Sequence, residues 1–166
     1  MESTLILGIG NTLLRDEGVG VHVIRYLKQQ TDLPADAVLA DGGTLSFSLV
    51  ADIEDHDRLI VIDATELGAE PGTIRCLENE SMDSFLGGIR RSVHEVSLLD
   101  LMDMARLTGT LPQRRALFGI QPEVVDWGHQ LSPRVETAVP KVAEQVLKLV
   151  DIWTMPHNRQ IQEGRS

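Results

Sequence analysis

"TLILGIGNTLLRDEGVGVHVIRYLKQQ", residues 4–30, decides the fold. "TLILGIG" is a short continuous apolar run ending in glycines, the pattern of a strand buried on both faces of a parallel sheet. "GVGVHVIRYLKQQ" follows with helical spacing, and Asp16 stands where an N-cap belongs. The pair Gly8-x-Gly10 suggests a nucleotide loop. Yet the loop runs into Arg15-Asp16-Glu17, placing carboxylates where a phosphate would want amides and positive charge. The glycines are therefore expected to give a tight exit from the first strand, with Asn11 stabilising the loop through its side chain. Glu17 is left facing the end of the sheet.

Working outward, "AVLADGG" (37–43) reads as a second strand, "LSFSLVADIED" (45–55) as a second helix and "RLIVIDA" (58–64) as a third strand. Two βαβ units of this kind build an open doubly wound sheet. With the first strand central, the strand order begins 2-1-3, and ligands bind at the carboxyl ends of strands one and three. Glu17 follows the first of those ends and Asp63 finishes the second. Only seven residues, Thr65 to Pro71, precede "GTIRCLE" (72–78). A parallel crossover needs about a dozen, so this fourth strand is expected to run antiparallel. A Gly-containing loop should lead to a helix in "HEVSLLDLMDMARLTG" (94–109). "RRALFGIQP" (114–122) reads as a fifth strand and "SPRVETAVPKVAEQVLKLVDIW" (132–153) as a long helix kinked or started late at Pro140. Residues 1–153 are read as one α/β domain and 154–166 as a polar, frayed tail.

At 166 residues a single domain buries roughly 70% of its unfolded surface. The formal charge of −10 and the lack of a Lys/Arg-rich stripe argue against a nucleic-acid partner; Arg90-Arg91 and Arg114-Arg115 read as short solvated pairs. Cys76 is the only cysteine, so no intrachain disulfide or cysteine metal cluster forms, and its stretch suggests a buried or half-buried apolar role. There is no basic leader and no apolar run of the ~20 residues needed to span a bilayer, so a cytoplasmic protein is expected.

Several chemistries lack their residues. The dinucleotide fingerprint G-x-G-x-x-G has Leu13 at its third glycine, and no G-x-x-x-x-G-K-[ST] exists. G-x-S-x-G is absent, and "HEVSL" puts Leu98 where H-E-x-x-H needs its second histidine. What remains is Glu17, Asp63 and His94, metal-capable side chains at element ends. Each has a plainer reading: a first-turn acid on the helix dipole, a loop cap and a capping histidine. His22, His56, His129 and His157 have no comparable context.

At these residues the sequence resembles the [NiFe]-hydrogenase maturation endopeptidases. The matching stretches are "ILGIGNTLLRDEGVGV", "DGGT" (41–44), "LIVIDA" (59–64), "PGT" (71–73), "SVHEVSLLDLM" (92–102) and "GIQPE" (119–123), in the family's order over roughly residues 4–150. The resemblance implies an αβα sandwich: a five-stranded, mostly parallel twisted sheet with one antiparallel strand and helices on both faces. It implies that Glu17, Asp63 and His94 contact a metal and carry catalysis, and that Asp41, Gly42 and Gly43 engage substrate. It implies an endopeptidase that removes the C-terminal extension of a nickel-loaded hydrogenase large-subunit precursor, with nickel supplied by that substrate. Two carboxylates and an imidazole suit a borderline divalent ion, and the ion could polarise the scissile carbonyl or activate a water. A monomer is the default. The alternatives are a non-catalytic metal-sensing chaperone of the same precursor and a nucleotide-binding Rossmann-like protein.

Overall fold

The computed structural model describes residues 2–89 and 95–156. The apolar runs form the strands β1 (Thr4–Ile9), β2 (Ala37–Gly43), β3 (Arg58–Ala64), β4 (Ile74–Glu78) and β5 (Arg114–Ile120). They make one sheet in the order β2-β1-β3-β5-β4. β1 pairs in parallel with β2 and β3, and β3 with β5, while β4 runs antiparallel to β5 with Ile74 opposite Ile120. The 2-1-3 start and the reversed fourth strand therefore agree with the reading from the linker length.

Around the sheet lie α1 (Val19–Lys28), α2 (Leu49–Glu54), α3 (Glu80–Gly87), α4 (Leu98–Leu107) and α5 (Pro133–Thr154). Successive strand residues point to opposite faces, and the central strands divide their apolar side chains accordingly. Ile6, Ile60, Ile62 and Phe118 pack with Val19, Val23 and Ile24 of α1 and Val135, Val142 and Val146 of α5. Leu5, Leu7, Leu59, Val61 and Leu117 pack with Val50 and Ile53 of α2, Met82 of α3, and Leu101 and Met102 of α4. These two cores make the αβα sandwich.

Four local expectations change. The segment after β4, read as loop, contains α3. Its helical signal is only eight residues long and half polar, with Met82 its buried residue and Phe85 and Leu86 packed beside it. α4 starts at Leu98, not 94, because Ser97 and Asp100 close a reciprocal capping box: the Asp100 amide donates to Ser97 Oγ at 3.1 Å and the Ser97 amide to Asp100 Oδ2 at 2.9 Å. α5 begins at Pro133 and continues through Pro140. Pro140 and Glu136 both lie on the exposed side, where water can satisfy the carbonyl that loses its donor. Cys76 is exposed on the edge strand β4, not buried. Desolvation of its thiol and the nearby Glu78 push its pKa up to about 11, which suppresses the nucleophilic thiolate. The tail beyond residue 156 lies outside the described residues.

Candidate active site

A cleft of about 750 Å³ opens at the carboxyl ends of β1 and β3, the place the strand order designates. Glu17 and Asp63 both line it. Glu17 belongs to a 3-10 turn, Arg15–Gly18, that leads directly into α1; Asp63 is the penultimate residue of β3. Two glycines set this geometry. A Cβ on Gly20 would lie 2.1 Å from the Ile62 carbonyl oxygen and 2.6 Å from that of Ile9, so α1 starts pressed against the ends of both central strands. Gly10 has φ +124°, and a Cβ there would lie 1.9 Å from the Glu17 carbonyl oxygen. The turn can fold back over β1 only because that space is empty. Gly8, expected to serve the strand exit, is still inside β1, where it accommodates the Gly20 carbonyl.

Asp16 does not cap α1. The N-cap position is Gly18, with no side-chain capping bond. The Asp16 carboxylate is instead buried between the 3-10 turn and the segment that joins β5 to α5. It accepts from the amides of Glu123 (2.9 Å), Val124 (2.8 Å) and Ser132 (2.7 Å), and from the Ser132 hydroxyl (2.7 Å). Burial works to raise its pKa, but the Ser132 hydroxyl and these three amides outweigh burial and hold the carboxyl below its usual range. Partners more than a hundred residues away gave no local signal in the sequence.

The cleft acids are shifted the other way. Burial, then the negative charge of Glu95, raises the pKa of Glu17. Burial raises Asp63 well above the ordinary range; the Ala64 amide opposes this and the Glu17 charge adds to it. Among the described residues no Lys, Arg or His forms an ion pair with either. Two carboxylates held together without a basic partner favour either a shared proton or a bound cation. That donor chemistry fits a divalent ion with oxygen ligands. His94 lies outside the described residues, and among the described residues no group of three His, Cys, Asp or Glu side chains is disposed to hold a metal.

Of the three residues expected to engage substrate, Gly43 lines the cleft, beside Thr44 and Leu45. Asp41 is exposed and acts behind it: its Oδ1 accepts from the Gly43 amide at 3.0 Å in an Asx turn. Gly42 packs against Leu7 and Ile9. The sequence reading missed Glu66 and Glu95, which add two more acids to the lining. Glu66 accepts from Nε2 of the buried Gln121 at 3.1 Å, and Gln121 Oε1 takes the Leu67 amide at 2.7 Å. The "GIQPE" stretch is thus a brace for the loop after β3. Apolar walls come from Leu14, Leu45, Phe85, Leu86, Ile89 and Val96. A cleft with apolar walls and acids on one side suits an extended peptide whose backbone passes a carboxylate pair. The nucleotide alternative does not fit: the glycines bring backbone onto backbone, and the space they frame is lined with acids.

Comparison with known proteins shows the family. A family model described as hydrogenase maturation protease matches residues 21–149. The hydrogenase expression/formation protein HupD of Rhizobium leguminosarum bv. viciae is 35% identical over 150 residues, covering 90% of this chain and 74% of that protein. The hydrogenase 2 maturation protease of Escherichia coli K12 is 35% identical over 144 residues, 86% of this chain and 87% of that one. The solved structure of the hydrogenase maturating endopeptidase HybD from E. coli superposes with a TM-score of 0.84 at 33% identity, covering 92% of this chain and 94% of its own.

Proposed function

The chain belongs to the hydrogenase maturation protease family, and from that premise we propose that it cuts the C-terminal extension from a nickel-loaded [NiFe]-hydrogenase large-subunit precursor. The observation that carries the reading is the placement of Glu17 and Asp63 in one cleft, with raised pKa values and no basic partner among the described residues. Nickel arrives as part of the substrate. Glu17 and Asp63 would hold it, His94 would complete the set, and the ion would supply Lewis-acid polarisation or an acidified water.

The protein's own groups do the rest. The apolar walls seat the extended segment and exclude water from the bond. Asp63 is the more strongly raised of the pair and so holds a shared proton first, which leaves Glu17 as the carboxylate to take a proton from the attacking water. The Asp41-braced turn at Gly43 borders the path of the peptide. With a metal-free precursor the protein's two carboxylates would share a proton and the substrate carbonyl would meet no electrophile, which makes nickel insertion a checkpoint.

We place the protein in the cytoplasm as a monomer, with neither nucleic acid nor membrane as partner. This accords with its charge of −10. Among the described residues no helix is long and apolar enough to cross a membrane. The test is the intact mass of a cognate precursor, with and without nickel, after incubation with this protein. Loss of a defined C-terminal peptide from the nickel-loaded form alone supports the proposal. Stable complex formation with no mass change would replace it with a binding-only role. Glu17→Gln should abolish processing while the fold persists.

A further inference from the structure

One rim of the cleft carries more apolar surface than its turns require. Leu13 is 47% exposed, Val125 55% and Trp127 77%. These residues come from two segments bonded backbone to backbone. The Gly128 amide donates to the Leu13 carbonyl at 2.9 Å, the Arg15 amide to Gly128 at 3.0 Å and the Asp16 amide to Val124 at 3.1 Å. Leu14 and Gly128 form a parallel bridge, and the buried Asp16 carboxylate locks the same two segments from within. The rim is therefore rigid. A tryptophan carries about 150–250 Å² of surface that burial would remove from water, and Trp127 sits beside Gly128 in this bonded segment with most of its surface open.

We propose that Leu13, Val125 and Trp127 form a docking ridge for the folded body of the large-subunit precursor, outside the segment whose bond is cut. The inference rests on the endopeptidase reading above. Continuity identifies the occupant: Leu14, next to Leu13, and Glu17, next to Asp16, both line the cleft. A protein whose chain end enters the cleft past Leu14 lies alongside this rim. Charge points the same way. The cleft lining carries Glu17, Asp63, Glu66 and Glu95 on a chain of net charge −10. Apart from a bound cation, those acids give the cleft no charge attraction for a neutral or acidic precursor, so contact beside it adds affinity that the apolar walls alone would have to supply. A pre-ordered aromatic flanked by aliphatic groups is the composition of an interface hot spot. The ridge supplies affinity and the cleft supplies chemistry.

The experiment uses the full chain with Glu17→Gln, which blocks cleavage and removes the same nickel-holding carboxylate from every protein compared, and the nickel-loaded precursor carrying its extension. Adding Trp127→Ala should weaken binding roughly 30-fold or more, the size of a hot-spot loss. Leu13→Ser should weaken it less, Trp127→Phe should retain most of it, and melting temperatures should stay unchanged because all three side chains are exposed. With Glu17 intact, Trp127→Ala should raise KM for the precursor and leave kcat unchanged. Equal binding by the Glu17→Gln protein with and without Trp127→Ala would overturn the ridge and leave the protease reading standing. Failure of the Glu17→Gln protein to bind, with no processing by the wild type, would overturn both. Dissociation of a dimer by Trp127→Ala in sedimentation would overturn the proposal in favour of a contact between two copies of this chain.

Discussion

Asp16 and Ser132 are 116 residues apart, yet the Ser132 amide and hydroxyl both donate to the Asp16 carboxylate, each at 2.7 Å. This contact ties the turn that carries Glu17 to the start of α5. The acid beside the candidate catalytic residue is thus a clamp that positions its neighbour.

Asp16→Asn should be costly, because an amide nitrogen would face donors whichever way the side chain flips. We expect a loss of about 2–4 kcal/mol, read as a lower midpoint in urea, and a fall in processing rate well below the melting temperature. Ser132→Ala removes one of four donors and should cost about 1.5–3 kcal/mol, the range for a hydrogen bond to a charged group. Equal damage from the two changes would show that the amides contribute little to the clamp.

Asp63→Asn should separate stability from activity. It removes a half-buried carboxyl that lies near Glu17 and has no basic partner among the described residues, so the metal-free protein should melt at the same temperature or higher at pH 7. Processing should be lost. A large drop in melting temperature would mean that Asp63 serves the fold first.

The glycines of the opening motif can be tested against a neutral one. Gly20→Ala drives a Cβ into the Ile62 and Ile9 carbonyls; lifting α1 should cost about 1–3 kcal/mol or more and displace Glu17. Gly87→Ala, in α3 with open space around the new methyl, should be neutral or stabilise by up to about 1 kcal/mol. Thermal melts of the two proteins make the comparison.

The acid limb of stability should depend on Asp83. Its Oδ1 accepts from Arg115 Nε at 2.9 Å and its Oδ2 from Arg115 Nη2 at 2.5 Å. This bonding with Arg115, against partial desolvation, lowers its pKa. A carboxyl with a lowered folded pKa contributes stability above its unfolded value, about 3.9, and loses it as pH falls through the folded value. Asp83→Asn should therefore destabilise at pH 6–7, and its deficit should shrink toward pH 3. A deficit independent of pH would assign the effect to packing.

Much of the architecture was legible because it rests on local patterns. Apolar runs closed by glycines marked β1 and β3, and the seven-residue linker from Thr65 to Pro71 forced β4 antiparallel. The strand order put Glu17 and Asp63 after neighbouring strand ends, and the cleft contains both. α3 escaped because eight residues, half of them polar, give too little periodicity. Glu66 and Glu95 escaped because an acid in a loop looks solvated until the cleft around it is known.

The sequence by itself determined the strands, the 2-1-3 start of their order and the direction of β4, and it put Glu17 and Asp63 each at the end of a central strand. These follow from spacing and turn chemistry over short stretches. The places of β5 and β4 in the sheet came only from the structure. The tertiary structure alone decided what the neighbouring residues do. It turned Asp16 from a cap into a buried clamp, Gly8 from an exit into a seat for α1, and Gln121 into a brace for Glu66. Hydrogen bonds and close contacts between distant segments have no sequence period. They exist only once the chain has brought both partners to the same end of the sheet.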